Sequence, residues 1–311
     1  MSAPRRPLTP QARTRQLTDR LRNEARRQHA PVEALRKQFV FALLFKRLFR
    51  QDDGEWILLG GNALLVRLHG GRFTQDVDLA HATASQTPDD LLADLQSRVA
   101  VDTGDGFTFD LVDITTHNRA DEFGYGTIAH KISARALSGG LHFESFSIDL
   151  TQRRHVEGPV ERRPLHPVID DPALTDLPTI PLVPLENHMA DKVCGMYERH
   201  KNDSASTRWR DLADLARVVT ALEVDAARLH TMLRHEARRR RMDLPAAMVA
   251  PGPRWEEEYP RNAREFAGFP EELHSLDASL TAVGICLNPV LDRTRTTGTW
   301  DPSCQRWEDP T

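Results

Sequence analysis

Residues 56–68 read Trp56-Ile-Leu-Leu-Gly60-Gly-Asn-Ala-Leu-Leu-Val-Arg-Leu68, and shortly afterwards residues 76–79 read Asp76-Val-Asp-Leu79. A short apolar run ending in a glycine pair predicts a buried strand turning directly into a helix, because glycine accepts backbone conformations that other residues resist. Gly70-Gly71 closes that helix. The alternation in Asp76-Val-Asp-Leu79 predicts a half-buried strand. Side chains alternate across a strand, so Asp76 and Asp78 share one face, about 7 Å apart along the backbone, while Val77 and Leu79 face the core.

The same reading extends outward in both directions. Leu35, Phe39 and Leu43 have helical spacing, and the continuous apolar run around them predicts a helix buried on more than one side. Pro88 to Val99 repeats that spacing, and Phe107–Ile114 and Phe146–Leu150 are candidate strands. This gives an α/β module over 31–158, preceded by a basic, partly disordered arm over 1–30. The seven prolines between Pro159 and Pro184 predict an extended linker over 159–184. Stripes at Leu185, Met189, Val193 and Met196, then Leu212, Leu215, Val219 and Leu222, predict a mostly helical domain over 185–290. Residues 291–311 read as a loose tail. The fold class is α+β, a mixed sheet module with N-terminal helices and a mostly helical C-terminal domain.

Two carboxylates on one strand face repel unless a cation joins them, and oxygen-only ligands favour Mg²⁺, which fills its remaining positions with phosphate and water. A D-x-D triplet alone is a weak signal, and so is an isolated glycine pair, which is usually a plain tight turn. Here Gly60 and Gly61 precede Asp76 by only a short helix and a return, so backbone N–H groups able to cradle a phosphate converge on the metal ligands. Lys192 lies among Met189, Val193 and Met196, and its ammonium either snorkels to solvent or reaches into a cleft as a point cation for phosphate. Asp211 and Asp214 read, on spacing alone, as the solvated side of a helix.

In this order the motifs resemble the AbiEii/AbiGii toxin family of nucleotidyltransferases, within the DNA polymerase β-like superfamily. The resemblance rests on Leu58-Leu-Gly-Gly-Asn-Ala-Leu64, Arg72-Phe-Thr-Gln-Asp-Val-Asp-Leu79, Ala190-Asp-Lys-Val193 and Arg208-Trp-Arg-Asp-Leu-Ala-Asp-Leu215. It covers roughly residues 35–220. It implies transfer of a nucleoside monophosphate from an NTP, ATP among the candidates, to an acceptor that is RNA at the tRNA 3′ end, by the toxin of a toxin–antitoxin system with a cognate antitoxin. It assigns Asp76 and Asp78, with Lys192 and Asp211, to catalysis, and Gly60, Gly61, Asn62, Arg72 and Lys192 to the nucleotide. Asn62 stands where the family commonly has Thr or Ser. In the wider superfamily a third carboxylate on a later strand joins the metal site; Asp149 is the best-placed candidate, with Asp110 and Asp113 as competitors. The other readings are a small-molecule or protein acceptor, and a non-catalytic nucleotide- or RNA-binding module of the same fold.

Composition is compatible with all of these. The chain has 311 residues, 40% of them hydrophobic, enough for a sizeable core. A net charge of −4 conceals 13 Lys and Arg against three acidic residues in the first 50 positions, and a second basic cluster spans Arg234–Arg241. Both suit a polyphosphate backbone, and both equally suit solvated helix faces. Three widely spaced cysteines form neither a zinc knuckle nor a disulfide framework, no apolar stretch is long enough to span a membrane, and no secretory signal is evident, so a cytoplasmic location is expected. H-E-x-x-H, G-x-S-x-G and G-x-x-x-x-G-K-[ST] patterns are absent, which removes the corresponding hydrolase and P-loop readings.

Overall fold

The computed structural model describes residues 9–51, 53–68, 73–82, 86–119, 127–152, 158–266 and 268–309. Arg72 and the Gly70-Gly71 pair lie outside the described residues. The chain divides into two compact units.

The first unit opens with α1 (Pro10–Arg27) and α2 (Val32–Leu48) and continues through β1 (Trp56–Leu58), α3 (Gly60–Leu68), β2 (Asp76–His81) and α4 (Pro88–Val99). Three long strands follow, β3 (Phe107–Arg119), β4 (Thr127–Ser138) and β5 (Leu141–Gln152), and then two short ones, β6 (Glu161–Pro164) and β7 (Thr179–Leu182). The seven strands form one mixed sheet in the order β3-β4-β5-β2-β1-β7-β6. The pairing of β2 with β5 and of β1 with β7 is parallel, whereas β1–β2, β3–β4 and β4–β5 are antiparallel.

Burial alternates along β4, β5 and the first part of β2, which turns one face of these strands to the core, whereas β1 and most of β7 are buried throughout. Val77, Leu79, Ile132, Ala134, Phe146, Ile148 and Leu150 are buried. Phe39 and Phe41 of α2 meet Phe107 and Phe146 edge to face at 5.7 and 5.2 Å, which explains why α2 is apolar around most of its circumference. Asp76, Asp78, Ser147, Asp149, Lys131 and Ser133 occupy the alternate positions and are half-buried or exposed. Arg47 of α2 makes a bidentate pair with Asp105, both contacts at 2.8 Å and both side chains about 1% exposed, and also donates to the Phe107 carbonyl. It thereby pins the helix to the start of β3. α4 begins as its sequence dictates, with Thr87 and Asp90 capping each other and Pro88 in the first turn.

The arm over 1–30 contains α1, whose Leu17, Leu21 and Ala25 are buried; each leucine contributes on the order of 1.5–3 kcal/mol. Two later stretches hold more structure than the sequence predicts. The stretch 159–184 is not simply an extended linker. It supplies β6 and β7, and β7 lies in the sheet beside β1, its prolines having an extended backbone that suits short strands as well as it suits a linker. The tail over 291–311 holds a β-hairpin, described below.

The second unit is mostly helical, with α5 (Leu185–Tyr197), α6 (Trp209–Ala221), α7 (Ala226–Arg239), α8 (Trp255–Arg264) and α9 (Leu276–Leu291). The pair β8 (Arg199–His200) and β9 (Ser204–Ala205) forms a small ladder, and β10 (Val224–Asp225), β11 (Thr299–Asp301) and β12 (Arg306–Glu308) form a three-stranded sheet. Trp300 is buried and donates its indole N–H to the Val219 carbonyl of α6 at 2.7 Å, which fixes the C-terminal hairpin. The three cysteines are free thiols, and no described helix is long and apolar enough to cross a membrane.

Candidate active site

In the first unit β1 runs into Gly60, which has φ +59°, and α3 starts there. A β-carbon on Gly60 would run into the Asp78 carboxylate. The glycine turn and the second aspartate of D-x-D are therefore in contact. Asn62 secures the arrangement: its amide donates to the Asp76 carbonyl at 2.8 Å and accepts from the Thr74 hydroxyl at 3.0 Å. The side chain is only 3% exposed, so Asn62 clips α3 to the start of β2 and is poorly placed as a phosphate donor. That departs from the nucleotide-binding expectation, because the amide oxygen accepts from the Thr74 hydroxyl and the amide nitrogen donates to the Asp76 carbonyl, both within the fold.

Asp149 stands directly beside Asp78, since β2 and β5 pair with Asp76 opposite Ser147 and Asp78 opposite Asp149. Adjacent strands lie about 4.8 Å apart and register partners share a face, so three carboxylates gather on the open side of the sheet. Asp149 Oδ1 is a buried oxygen with no hydrogen-bond donor, and Lys131 Nζ of β4 approaches it at 3.4 Å. The competing aspartates are elsewhere. Asp110 pairs with Arg135 at 3.8 Å two strands further out, and Asp113 sits in a β-bulge at φ +52°. An all-oxygen donor set with an orphaned buried acceptor fits a hard divalent cation such as Mg²⁺.

A second group of potential ligands, Glu55, His81 and Asp94, has its ligand atoms within 4.8 Å of one another. It lies at the other end of β2, and Arg98 already bridges it, with contacts of 2.5 Å to Glu55 and 2.8 Å to Asp94, while the Trp56 indole donates to Asp94 at 2.6 Å. A guanidinium thus supplies the positive charge that a metal would bring. Asp301, Cys304 and Glu308 form a third, exposed group on the C-terminal hairpin.

In the second unit Lys192 neither snorkels nor stands open to a ligand. It is 4% exposed, and its ammonium contacts Asp211 at 3.0 Å and Asp214 at 2.7 Å, both aspartates being buried as well. The expected solvated helix face is therefore the buried side of α6 against α5. The charges continue outward: Arg208 reaches Asp211 at 2.5 Å and Asp191 at 3.4 Å, and Arg240 bridges Asp191, Glu198 and Glu236 at 2.5–2.8 Å. A β-carbon on Gly195 would meet the Arg208 guanidinium, so this glycine makes room for it. Burial alone would lower the Arg240 pKa, yet Asp191, Glu236 and Glu198 raise it; burial would raise that of Asp191, yet Arg240, Arg208 and Lys192 hold it below the usual range. Part of the basic run Arg238–Arg241 is consequently internal: Arg239 pairs with Glu236, and Arg240 is the hub of the network.

The sequence reading missed Lys131 and the Asp191–Arg208–Arg240 chain. Lys131 was legible in principle, because Lys131-Ile-Ser-Ala-Arg-Ala136 alternates with period two and marks β4. The chain was not, since nothing in spacing couples residue 191 to residue 240.

Comparison with known proteins identifies the family and similar folds. The family model described as the nucleotidyl transferase AbiEii toxin of type IV toxin–antitoxin systems matches residues 42–282. Among solved structures, MenT4, a nucleotidyltransferase toxin of Mycobacterium tuberculosis H37Rv, is similar in fold at a TM-score of 0.53 and 17% identity, over 87% of this chain and 89% of that one. JHP933 from Helicobacter pylori aligns with a TM-score of 0.43 and 16% identity, over 84% of this chain and 92% of its own. No curated protein sequence matches.

Proposed function

The chain belongs to the AbiEii family of nucleotidyltransferase toxins of type IV toxin–antitoxin systems, and from that premise we propose that it transfers a nucleoside monophosphate from an NTP to RNA, with the carboxylate face of the first unit as its metal centre. One observation carries the reading: Asp78 lies against the Gly60 turn and beside Asp149, so a phosphate-binding turn and three oxygen ligands meet at one place.

Asp76, Asp78 and Asp149 would hold Mg²⁺, which when bound stabilises the attacking and leaving oxygens of an in-line displacement at the α-phosphorus, with pyrophosphate leaving. The residues of the chain do the positioning. The turn at Gly60 and Gly61 offers backbone N–H groups at a helix start to a phosphate, and Asn62 holds the strand that carries Asp76 at a fixed height relative to that turn. Lys192 and Asp211, which the family resemblance assigns to catalysis, are in direct contact, and with Asp214 they form a buried ion-pair cluster through which Lys192 acts as a positioning residue of the second unit. Arg72, a few residues ahead of the aspartate pair in sequence, is assigned to steadying a phosphate, the other reading of it being a cap on the turn. The acceptor is the 3′ end of tRNA, the site of action is the cytoplasm, and a cognate antitoxin restrains the activity.

The test supplies each of four α-labelled NTPs with Mg²⁺ and either total RNA or total protein, and asks which pool gains label. RNA labelling that disappears in Asp76→Asn and Asp78→Asn proteins of unchanged melting temperature is the expected result. Labelled protein or labelled small molecules instead would redirect the acceptor, and RNA binding without transfer would indicate a binding module.

A further inference from the structure

Asp78, Asp149 and Lys131 form a single row across β2, β5 and β4, with Asp78 opposite Asp149 and Asp149 opposite Lys131. The row lies on the open face of the sheet. Lys131 Nζ is 3.4 Å from Asp149 Oδ1, the buried oxygen that receives no hydrogen bond, so the contact is ionic rather than hydrogen-bonded. The lysine side chain is 46% exposed, which leaves its ammonium a short path into solvent. A monovalent ammonium satisfies one carboxylate, and a divalent cation bound by all three must compete with it.

We propose that Lys131 is the resident counter-ion of Asp149, and that a divalent cation recruits Asp149 only by displacing it. This rests on the metal centre proposed above. Lys131 thereby sets how tightly the site holds its cation, weakening the bare site and remaining nearby, once displaced, as a positive group beside the bound ion. An exposed ion pair of this geometry is worth little on its own, so the effect on metal affinity is about two- to tenfold. Screening makes it largest at low ionic strength.

The experiment titrates Mn²⁺ into the full chain without nucleotide at low salt, following free Mn²⁺ by electron paramagnetic resonance, for wild type, Lys131→Gln, Lys131→Arg, Asp149→Asn and the Lys131→Gln/Asp149→Asn double variant. Lys131→Gln is expected to bind Mn²⁺ about two- to tenfold more tightly and Lys131→Arg to resemble wild type. Asp149→Asn should bind more weakly, and most of the gain from Lys131→Gln should vanish in the Asp149→Asn background, because there the lysine has no carboxylate to withhold. Unchanged or weaker binding in Lys131→Gln overturns the proposal, as does the same gain with Asp149 removed, which would signify general field effects rather than displacement. Asp76→Asn and Asp78→Asn separate the two levels. If both retain wild-type Mn²⁺ affinity, the metal centre is wrong and the role of Lys131 falls with it; if they lose it while Lys131→Gln changes nothing, only the role of Lys131 falls.

Discussion

At φ +59°, Gly60 occupies the left-handed region, where any L-residue is strained, and its missing β-carbon leaves the space that the Asp78 carboxylate fills. The two demands separate experimentally. Gly54 also has positive φ, +72°, but nothing lies within 4 Å of where its β-carbon would be. Alanine at either position should cost about 1–2 kcal/mol of stability from backbone strain. Only Gly60→Ala should also push Asp78 out of place, and a displacement of about 1 Å at a reacting centre costs roughly 100-fold in rate. Urea unfolding of both variants beside nucleotidyl transfer checks this: matched stability losses with transfer falling only in Gly60→Ala is the expected outcome, and equal activity in the two would sever the turn from the site. Asn62 acts at the same scale. Asn62→Ala leaves the Asp76 carbonyl without its donor, an expected loss of about 1–3 kcal/mol.

Between α2 and β3 the Arg47–Asp105 pair does what apolar packing cannot, fixing the position of the helix along the strand. Burial would raise the Asp105 pKa, but the Arg47 guanidinium, the Thr103 hydroxyl and the Phe107 N–H hold it below the ordinary carboxylate range. The sign follows from linkage. A carboxyl with a depressed folded-state pKa contributes stability that is fully present above its unfolded value, about 3.9, and is lost as pH falls through the folded value. Asp105→Asn leaves Arg47 uncompensated in a buried position and should cost about 3–5 kcal/mol at neutral pH. The gap in melting temperature between wild type and variant should narrow below about pH 4. A gap constant from pH 7 down to pH 3 would show that the pair contributes nothing electrostatic. This element-level coupling also marks where sequence reading stops. β1, β2, α3 and α4 were legible because period and turn chemistry are local, and so was the strand position of Asp149, because alternation put it on a polar face; its candidacy as a ligand came from the family resemblance. Most ion pairs were not legible: Arg47 and Asp105 are 58 positions apart, and while the family resemblance links Asp211 to Lys192, spacing alone gives no hint that Asp211 and Asp214 are buried with it. β7 escaped because its four residues, Thr179-Ile-Pro-Leu182, contain a proline that in isolation reads as linker.

Over the whole molecule, positive charge is where an RNA acceptor would have to be met, and the structure redistributes the candidates. Arg239 and Arg240 are spent within the second unit, so replacing Arg240 should unfold its network rather than report on RNA, with Asp191, Glu198 and Glu236 left facing one another. The solvent face of α1 is the better candidate. Its helix carries six arginines against Asp19 and Glu24, and although Arg22 and Arg27 pair with those two and Arg20 with Asp171, Arg15 and Arg26 are exposed. Neither packs into the core, so Arg15→Gln/Arg26→Gln should melt like the parent. If RNA is bound across α1, each lost phosphate contact removes about 0.7 from the slope of log affinity against log salt on a single strand and about 0.9 on a duplex. The double variant should therefore flatten the slope by roughly 1.4–1.8 while leaving Mn²⁺ binding at the carboxylate face unchanged. Affinity for total tRNA, measured across salt concentrations for wild type, this variant and Arg238→Gln as an exposed control on the other basic cluster, decides the matter. A slope unaltered in the double variant places the RNA elsewhere, and a slope near zero in the wild type removes the electrostatic case for an RNA acceptor, whatever the transfer assay labels.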